Sequence, residues 1–368
     1  MNRRLEDRLF LLGRPISPLY AAIMRLRRHL YERGLLEAYS PGIPVVSIGN
    51  VLLGGTGKTP LVEEVVKWAI KRGMRPAVLT RGYKGTVGKG PKELIVQGEI
   101  GMGPMEAGDE PYMLALRVTQ WCRQHGVGNG PVIVVGSNRV EAARLARERG
   151  ADIIVLDDGF QHLRIKRDLD ILLFPYNVDL NAQHVFPGGR LREPLDVASH
   201  ADIIVISKVP RIKSTHLFAS FEKFFPKKEL FPMAFYPDSL IPLSGQGPGQ
   251  GLERLEGKRV VAFCGIGDPE SFKEMILRLG CHLVDMKVFR DHHSYDSGDL
   301  LRLKRWSSEK KADMILTTEK DLVKLNYLVA SAPIKRDGAP KGDDIFAIRL
   351  KVQVDPRLFS AVADHLDI

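Results

Sequence analysis

The stretch VVSIGNVLLGGTGKTPLVEEVVKWAIKRG, residues 45–73, decides the fold. It opens with a short apolar run (45–48), passes through a glycine-rich turn ending Gly57-Lys58-Thr59, and continues as an amphipathic helical pattern from Pro60. Strand, loop and helix in that order make a phosphate-binding loop. Glycines let backbone N–H groups turn inward around phosphate oxygens, and the helix N-terminus adds a favourable dipole. Lys58 supplies a mobile positive charge for the β- and γ-phosphates, and the Thr59 hydroxyl is a magnesium ligand. Leu52, Leu53, Gly54, Gly55, Thr56, Gly57, Lys58 and Thr59 are therefore the expected nucleotide contacts. One departure stands out: Leu52 occupies the position where such loops usually carry their first glycine.

Working outward, four-residue apolar runs recur at 77–80, 132–135, 153–156, 171–174 and 203–206, with helical patterns between some of them. Continuous Val/Ile/Leu runs of this kind imply a parallel sheet covered on both faces. The run 153–156 ends in Asp157-Asp158-Gly159. Parallel strands deliver their carboxyl ends to one edge, so this pair should face the nucleotide and supply the metal's carboxylates. An ordinary turn also favours Asp-Asp-Gly, and the sequence does not say which aspartate touches the metal. Residues 226–257 are rich in proline and glycine and read as a connector, after which a second α/β pattern begins with the run 260–264. The expected fold is α/β: a P-loop NTPase-type parallel sheet flanked by helices, a second smaller α/β lobe, and an N-terminal amphipathic helix. The expected divisions are 1–40 (basic helical segment), 41–225 (nucleotide-binding domain), 226–257 (connector) and 258–368 (C-terminal lobe), with substrate between the lobes.

The 368 residues carry a net charge of +10, which points to an anionic partner. Three cysteines without a CxxC pair argue against a disulfide framework or zinc site. No run of eighteen uncharged apolar residues and no secretory signal is evident, so a cytoplasmic protein is expected. Leu19, Ile23, Leu26 and Leu30 recur at helical spacing among Arg25, Arg27, Arg28 and Arg33. That helix either lies in a lipid interface or packs on the domain with its arginines in water. Aromatics are only 7% and do not interleave with a basic stretch, so nucleic acid is not an expected partner.

A guanine-reading Asn/Thr-Lys-x-Asp is missing, since Ser207-Lys208-Val209 is followed by Pro210, and ATP is the expected nucleotide. The ordered set of motifs resembles the tetraacyldisaccharide 4'-kinase (lipid A 4'-kinase) family. It comprises Ser47-Ile48-Gly49-Asn50, GGTGKTP, Arg81-Gly82-Tyr83, Gly108-Asp109-Glu110-Pro111 and Asp157-Asp158-Gly159-Phe160-Gln161-His162. It continues with Gly189-Arg190-Leu191-Arg192-Glu193, Gly265-Ile266-Gly267, Asp291-His292 and Thr318-Glu319-Lys320-Asp321. The loop lacking its first glycine is similar to that family's own variant.

The resemblance implies ATP- and Mg2+-dependent transfer of a γ-phosphate to the 4'-hydroxyl of a tetraacylated glucosamine disaccharide 1-phosphate, in lipid A biosynthesis. It also implies peripheral association with an anionic lipid surface, the cytoplasmic face of the inner membrane. Glu193 would be a further acidic group near the metal, and Arg192 would offset charge on the γ-phosphate. Asp109 would be the base for the acceptor hydroxyl, partnered by His292 once lobe closure assembles the pair around substrate. From the residues alone, Asp109 reads as a helix cap and Asp291-His292-His293 as a solvated loop in preference to catalytic roles, with His293 an alternative to His292. Arg81, Tyr83 and Arg139 are candidates for binding acceptor or nucleotide phosphates, and Gln161 and His162 for ordering the metal's surroundings. The competing readings are an ATPase that couples hydrolysis to a conformational step, and a non-hydrolysing binder of anionic membranes or nucleic acid.

Overall fold

The computed structural model describes residues 10–82, 85, 90–96, 98–128, 130–243, 249–331 and 344–368. Tyr83 and the glycine-rich residues 244–248 lie outside the described residues. The strands are β1 (Val45–Gly49), β2 (Pro76–Thr80), β3 (Lys92–Glu93), β4 (Ile95–Val96), β5 (Glu99–Ile100), β6 (Val132–Val135) and β7 (Ile153–Asp157). They continue as β8 (Leu169–Pro175), β9 (Ile203–Ser207), β10 (Glu229–Pro242), β11 (Arg259–Cys264), β12 (His282–Val288), β13 (Met314–Thr318) and β14 (Ile345–Val354). β4 and β5 pair by themselves; the other twelve form one sheet in the order β12-β11-β13-β14-β10-β9-β8-β1-β7-β2-β6-β3.

Every residue of β1, β2, β6, β7 and β9 is buried, as the unbroken apolar runs require of a sheet covered on both sides. On one face Leu61, Val62, Val65 and Val66 of the helix Lys58–Lys71 pack with Leu114 and Val118 of the helix Asp109–Gln124. On the other, Ala142, Ala143 and Ala146 let the helix Arg139–Glu148 sit close against the sheet.

The stretch read as a connector instead contributes a strand. β10 runs for 14 residues; its first part pairs parallel with β9 and its second part antiparallel with β14. Its prolines obscured it. Pro237 falls at a register shift, Pro242 ends the strand, and the Pro232 carbonyl still accepts from Asp355 N–H. The two lobes therefore share one sheet.

This junction positions the site. β9 ends where Ser207 meets Met233, while β13 ends where Thr318 meets Ile348, which is opposite Leu240. Because β14 runs against β10, the carboxyl edges of the two lobes point toward one another. Six residues of β10 lie between them, roughly 20 Å at ordinary strand rise. Ligands of open α/β sheets bind at carboxyl edges, and here two such edges face a single cleft.

The helix Ser17–Glu32 packs across the nucleotide lobe in an unexpected sense. It buries Arg28 (4% exposed) and leaves Leu19, Ile23 and Leu26 at 65%, 50% and 58% exposure. No described helix is long and apolar enough to cross a membrane.

Candidate active site

The glycine loop keeps the geometry its sequence requires. Gly57 caps the helix Lys58–Lys71 with φ +90° and Gly54 has φ +119°, both conformations that suit glycine. Buried Thr56 accepts a hydrogen bond from Asn50 Nδ2 at 2.9 Å. Leu52 pairs with Leu191 in an isolated antiparallel bridge, flanked by Leu53 N–H to Arg190 O (2.8 Å) and Arg192 N–H to Val51 O (2.7 Å). Its side chain is buried with Phe160 and Leu191. A packing residue is needed there, which accounts for leucine where such loops usually have glycine.

Lys58 Nζ lies 3.3 Å from Asp158 Oδ1, and Arg192 donates to Asp158 Oδ2 at 2.8 Å. Asp158 sits at φ +57°, just past the end of β7. Burial pushes its carboxyl up, but the adjacent Lys58 and Arg192 overcome this and hold it below the usual range. Asp157 is different. Burial, reinforced by the charge of Glu110 and opposed by Lys58, pushes its carboxyl up to about 6. Its Oδ2 accepts from the Thr80 hydroxyl at 3.1 Å. Among the described residues no group of three or more His, Cys, Asp or Glu side chains forms a ready metal cage. Thr59, Asp157 and Asp158 offer only hard oxygen donors. Such a small set suits magnesium, which takes one or two carboxylates and draws its remaining ligands from phosphates and water. A desolvated carboxylate such as Asp157 is also one that a cation would stabilise.

Beside the phosphate loop, Asp109 and His292 are together. Gly108 is the cap of the helix Asp109–Gln124, so Asp109 is its first residue rather than the cap. His292 Nδ1 lies 3.1 Å from Asp109 Oδ2, and Lys324 Nζ lies 3.1 Å from the same oxygen. Burial raises the Asp109 carboxyl, but the His292 hydrogen bond and the Lys324 charge outweigh it and hold the group below its ordinary value. The two side chains whose meeting the sequence assigned to lobe closure are in contact in this structure. His293 turns elsewhere: its Nε2 contacts Asp299 Oδ2 at 3.0 Å, and its ring stacks on Phe289.

Two expected contacts take other partners. Glu193 is 2% exposed and meets Arg28 Nη2 at 3.2 Å, while the Arg28 guanidinium lies 4.6 Å over the Phe160 ring. Burial raises the Glu193 carboxyl despite that arginine. It fastens the N-terminal helix to the nucleotide lobe. Arg139 is 3% exposed and donates to the carbonyls of Gly136 and Asp157, so it braces the end of β7. Burial lowers it to about 10 against the pull of Asp157 and Asp158. Arg81 is exposed just past β2, at the expected edge. Gln161 Nε2 donates to Asn50 O at 2.9 Å, bracing the loop. Burial and the charges of Arg139, Arg81 and Arg27 push His162 down to about 4.

Glu110, Lys320 and Lys324 received no role from the sequence, yet they join the two halves of the site. Glu110 accepts from the Thr59 hydroxyl at 3.5 Å through Oε2, and its Oε1 lies 3.4 Å from Lys320 Nζ. Lys320 and Lys324 are four apart on the helix Glu319–Ser331, the spacing that puts both on one face. That spacing was the available signal. Behind them, Arg117 pairs with Glu63 (3.0 Å) and Glu319, and Arg349 with Glu319 (3.2 Å), a buried ionic brace between the lobes.

An aspartate–histidine pair stands beside the phosphate loop, suited to accept a proton from a hydroxyl. The class is a P-loop kinase. The family model described as tetraacyldisaccharide-1-P 4'-kinase, LpxK, matches residues 9–367. The tetraacyldisaccharide 4'-kinase of Desulfotalea psychrophila is 36% identical over 339 residues, 89% of this chain and 92% of its own. That of Pelobacter propionicus is 38% identical over 327 residues, 88% of this chain and 86% of its own. A crystal structure of LpxK from Aquifex aeolicus in complex with ATP superimposes with a TM-score of 0.72 at 29% identity, covering 98% of this chain and 99% of that one. The chain belongs to the tetraacyldisaccharide-1-P 4'-kinase family.

Proposed function

We propose that the protein transfers the γ-phosphate of ATP to the 4'-hydroxyl of a tetraacylated glucosamine disaccharide 1-phosphate, a step of lipid A biosynthesis. The observation that carries this reading is that the Asp109–His292 pair lies beside the phosphate loop, because Glu110, next to Asp109, meets the Thr59 hydroxyl while Lys58 meets Asp158. The loop amides and Lys58 hold the β- and γ-phosphates, and Arg192 offsets their charge from beside Asp158. Thr59, Asp157 and Asp158 are the residues that would hold Mg2+, which supplies charge neutralisation to the transferring phosphoryl group. The acceptor oxygen forms its bond to Pγ as the bond from Pγ to the bridging oxygen breaks, and ADP leaves with that electron pair. The hydroxyl proton passes to Asp109, whose Oδ1 makes neither the His292 nor the Lys324 contact. Arg81 and Tyr83 are candidates for the acceptor's phosphate.

ATP turnover with and without the acylated disaccharide 1-phosphate in detergent micelles tests this. Phosphorylated lipid is expected; free phosphate released at the same rate without acceptor would mark an ATPase instead.

The exposed stripe Leu19, Ile23 and Leu26, beside Leu12 and Ile16 at 77% and 57%, supports peripheral attachment to an anionic membrane, the cytoplasmic face of the inner membrane. The triple change Leu19→Ser, Ile23→Ser, Leu26→Ser leaves the Arg28–Glu193 anchor intact. It should abolish flotation with anionic vesicles while transfer to micellar substrate persists. Unchanged flotation would exclude the helix as the attachment.

A further inference from the structure

We propose that Lys324 and Lys320 set the aim and protonation pattern of the Asp109–His292 pair, with Lys324 a positioning residue for the carboxylate. The idea rests on the reading of Asp109 as base. Lys324 is only 8% exposed, and its ammonium is fixed by Asp109 Oδ2 (3.1 Å) and the His293 carbonyl (3.1 Å), with the Tyr295 ring 5.9 Å away. An ammonium so desolvated needs an anionic partner, and Asp109 provides it. With His292 Nδ1 on the same oxygen, the carboxylate is held in one rotamer and Oδ1 takes neither contact.

Lys320 decides the tautomer. Its Nζ lies 3.3 Å from His292 Nε2, and an ammonium can only donate. Nε2 must therefore accept, and the imidazole proton resides on Nδ1, donated to Asp109. His292 cannot receive the substrate's proton at Nδ1, because that nitrogen already carries one. It orients the base, and the proton stays on Asp109 until the product leaves.

Further charged groups stand around the pair. Asp291 Oδ1 lies 3.8 Å from Lys320 Nζ and 3.9 Å from His292 Nε2, and Glu110 lies 3.4 Å from Lys320. Buried Asp321 is 3.9 Å from Lys324, but it is also bonded to Gly265 N–H, the Tyr295 hydroxyl and the Thr318 hydroxyl. Through Gly265, whose carbonyl accepts from His292 N–H at 3.2 Å, that cluster holds the histidine's backbone at φ +60°.

The test is the pH profile of kcat/KM for Lys324→Met, whose stem packs as lysine's does, beside Lys324→Arg, which keeps the charge, and Asp109→Asn. Lys324→Met should move the acidic limb upward by about one pH unit, because a cation within hydrogen-bond reach lowers a carboxylate by that much or more. It should also cut kcat roughly tenfold with KM for ATP unchanged. Lys324→Arg should restore the limb, and Lys324→Met should add nothing in an Asp109→Asn background. An acidic limb that stays in place in folded Lys324→Met, whatever the rate, overturns the proposal. Should Lys324→Met not fold, a displaced limb in Lys324→Arg, despite its retained charge, does the same. Full transfer by Asp109→Asn would instead remove the base assignment itself.

Discussion

Replacing Arg28 by methionine strikes the anchor of the N-terminal helix. Arg28 and Glu193 are 4% and 2% exposed and meet at 3.2 Å, and the guanidinium also covers the Phe160 ring. Removing one member of a buried ion pair costs about 3–5 kcal/mol, because the other charge is stranded. Glu193, left without Arg28, is that stranded charge, and the loss is expected at the lower end of the range. The helix can leave the surface as a unit; about 3 kcal/mol then corresponds to a roughly hundredfold rise in its opening equilibrium. Amide hydrogen exchange across Ser17–Glu32 measures this directly. Arg28→Met should accelerate exchange there by about that factor while β1 and β7 stay protected. Adding Glu193→Gln should recover most of the protection, since a neutral side chain tolerates the site better than a stranded charge. Exchange changed by less than about threefold, or a double variant as labile as the single one, would refute the reasoning.

Lys58→Ala should lower kcat for lipid phosphorylation by at least about a hundredfold, the scale of losing one donor to the transferring charge; near-normal single-turnover rates would exclude the proposed phosphate cradle. Gly57→Ala places a methyl 2.8 Å from the Phe235 ring in a left-handed backbone, so ATP affinity by calorimetry should fall about tenfold. Unchanged affinity would mean the loop does not depend on that turn. His162 is depressed to about 4, so the folded state resists its protonation. The stability this residue preserves above its ordinary value near 6.5 is lost as pH falls through the window toward 4. His162→Gln should flatten the fall in urea midpoint over that range, and an unaltered fall would place the acid sensitivity elsewhere.

The nucleotide half of the site was legible because each part of it is local. The loop, the strand before it and the Asp157–Asp158 pair lie within short stretches whose residue types have few other uses. β10 was not legible, since five prolines between 226 and 248 imitate a linker and only partner strands reveal the ladder. Glu193 shows a different limit. An acidic residue in a basic motif suits a metal or an ion pair equally, and the choice depends on Arg28, 165 positions earlier. Lys324 lay beyond reach for the same reason: its partner Asp109 sits in the other lobe, and no spacing in one stretch encodes that meeting. The exposed stripe of the N-terminal helix could be read as a pattern, but not which side faced the protein.

The long strand shared by both lobes has a mechanical corollary. Two bodies joined by a flexible tether can swing apart; two bodies zipped along opposite flanks of one ribbon must bend it. The least resistant point is the register break between Pro237 and Ser239, between the opposing rims and nearer the C-terminal one. Flexure there would act together with release of the Arg117–Glu319 brace, and it would part Asp109 from His292, which stand on different lobes.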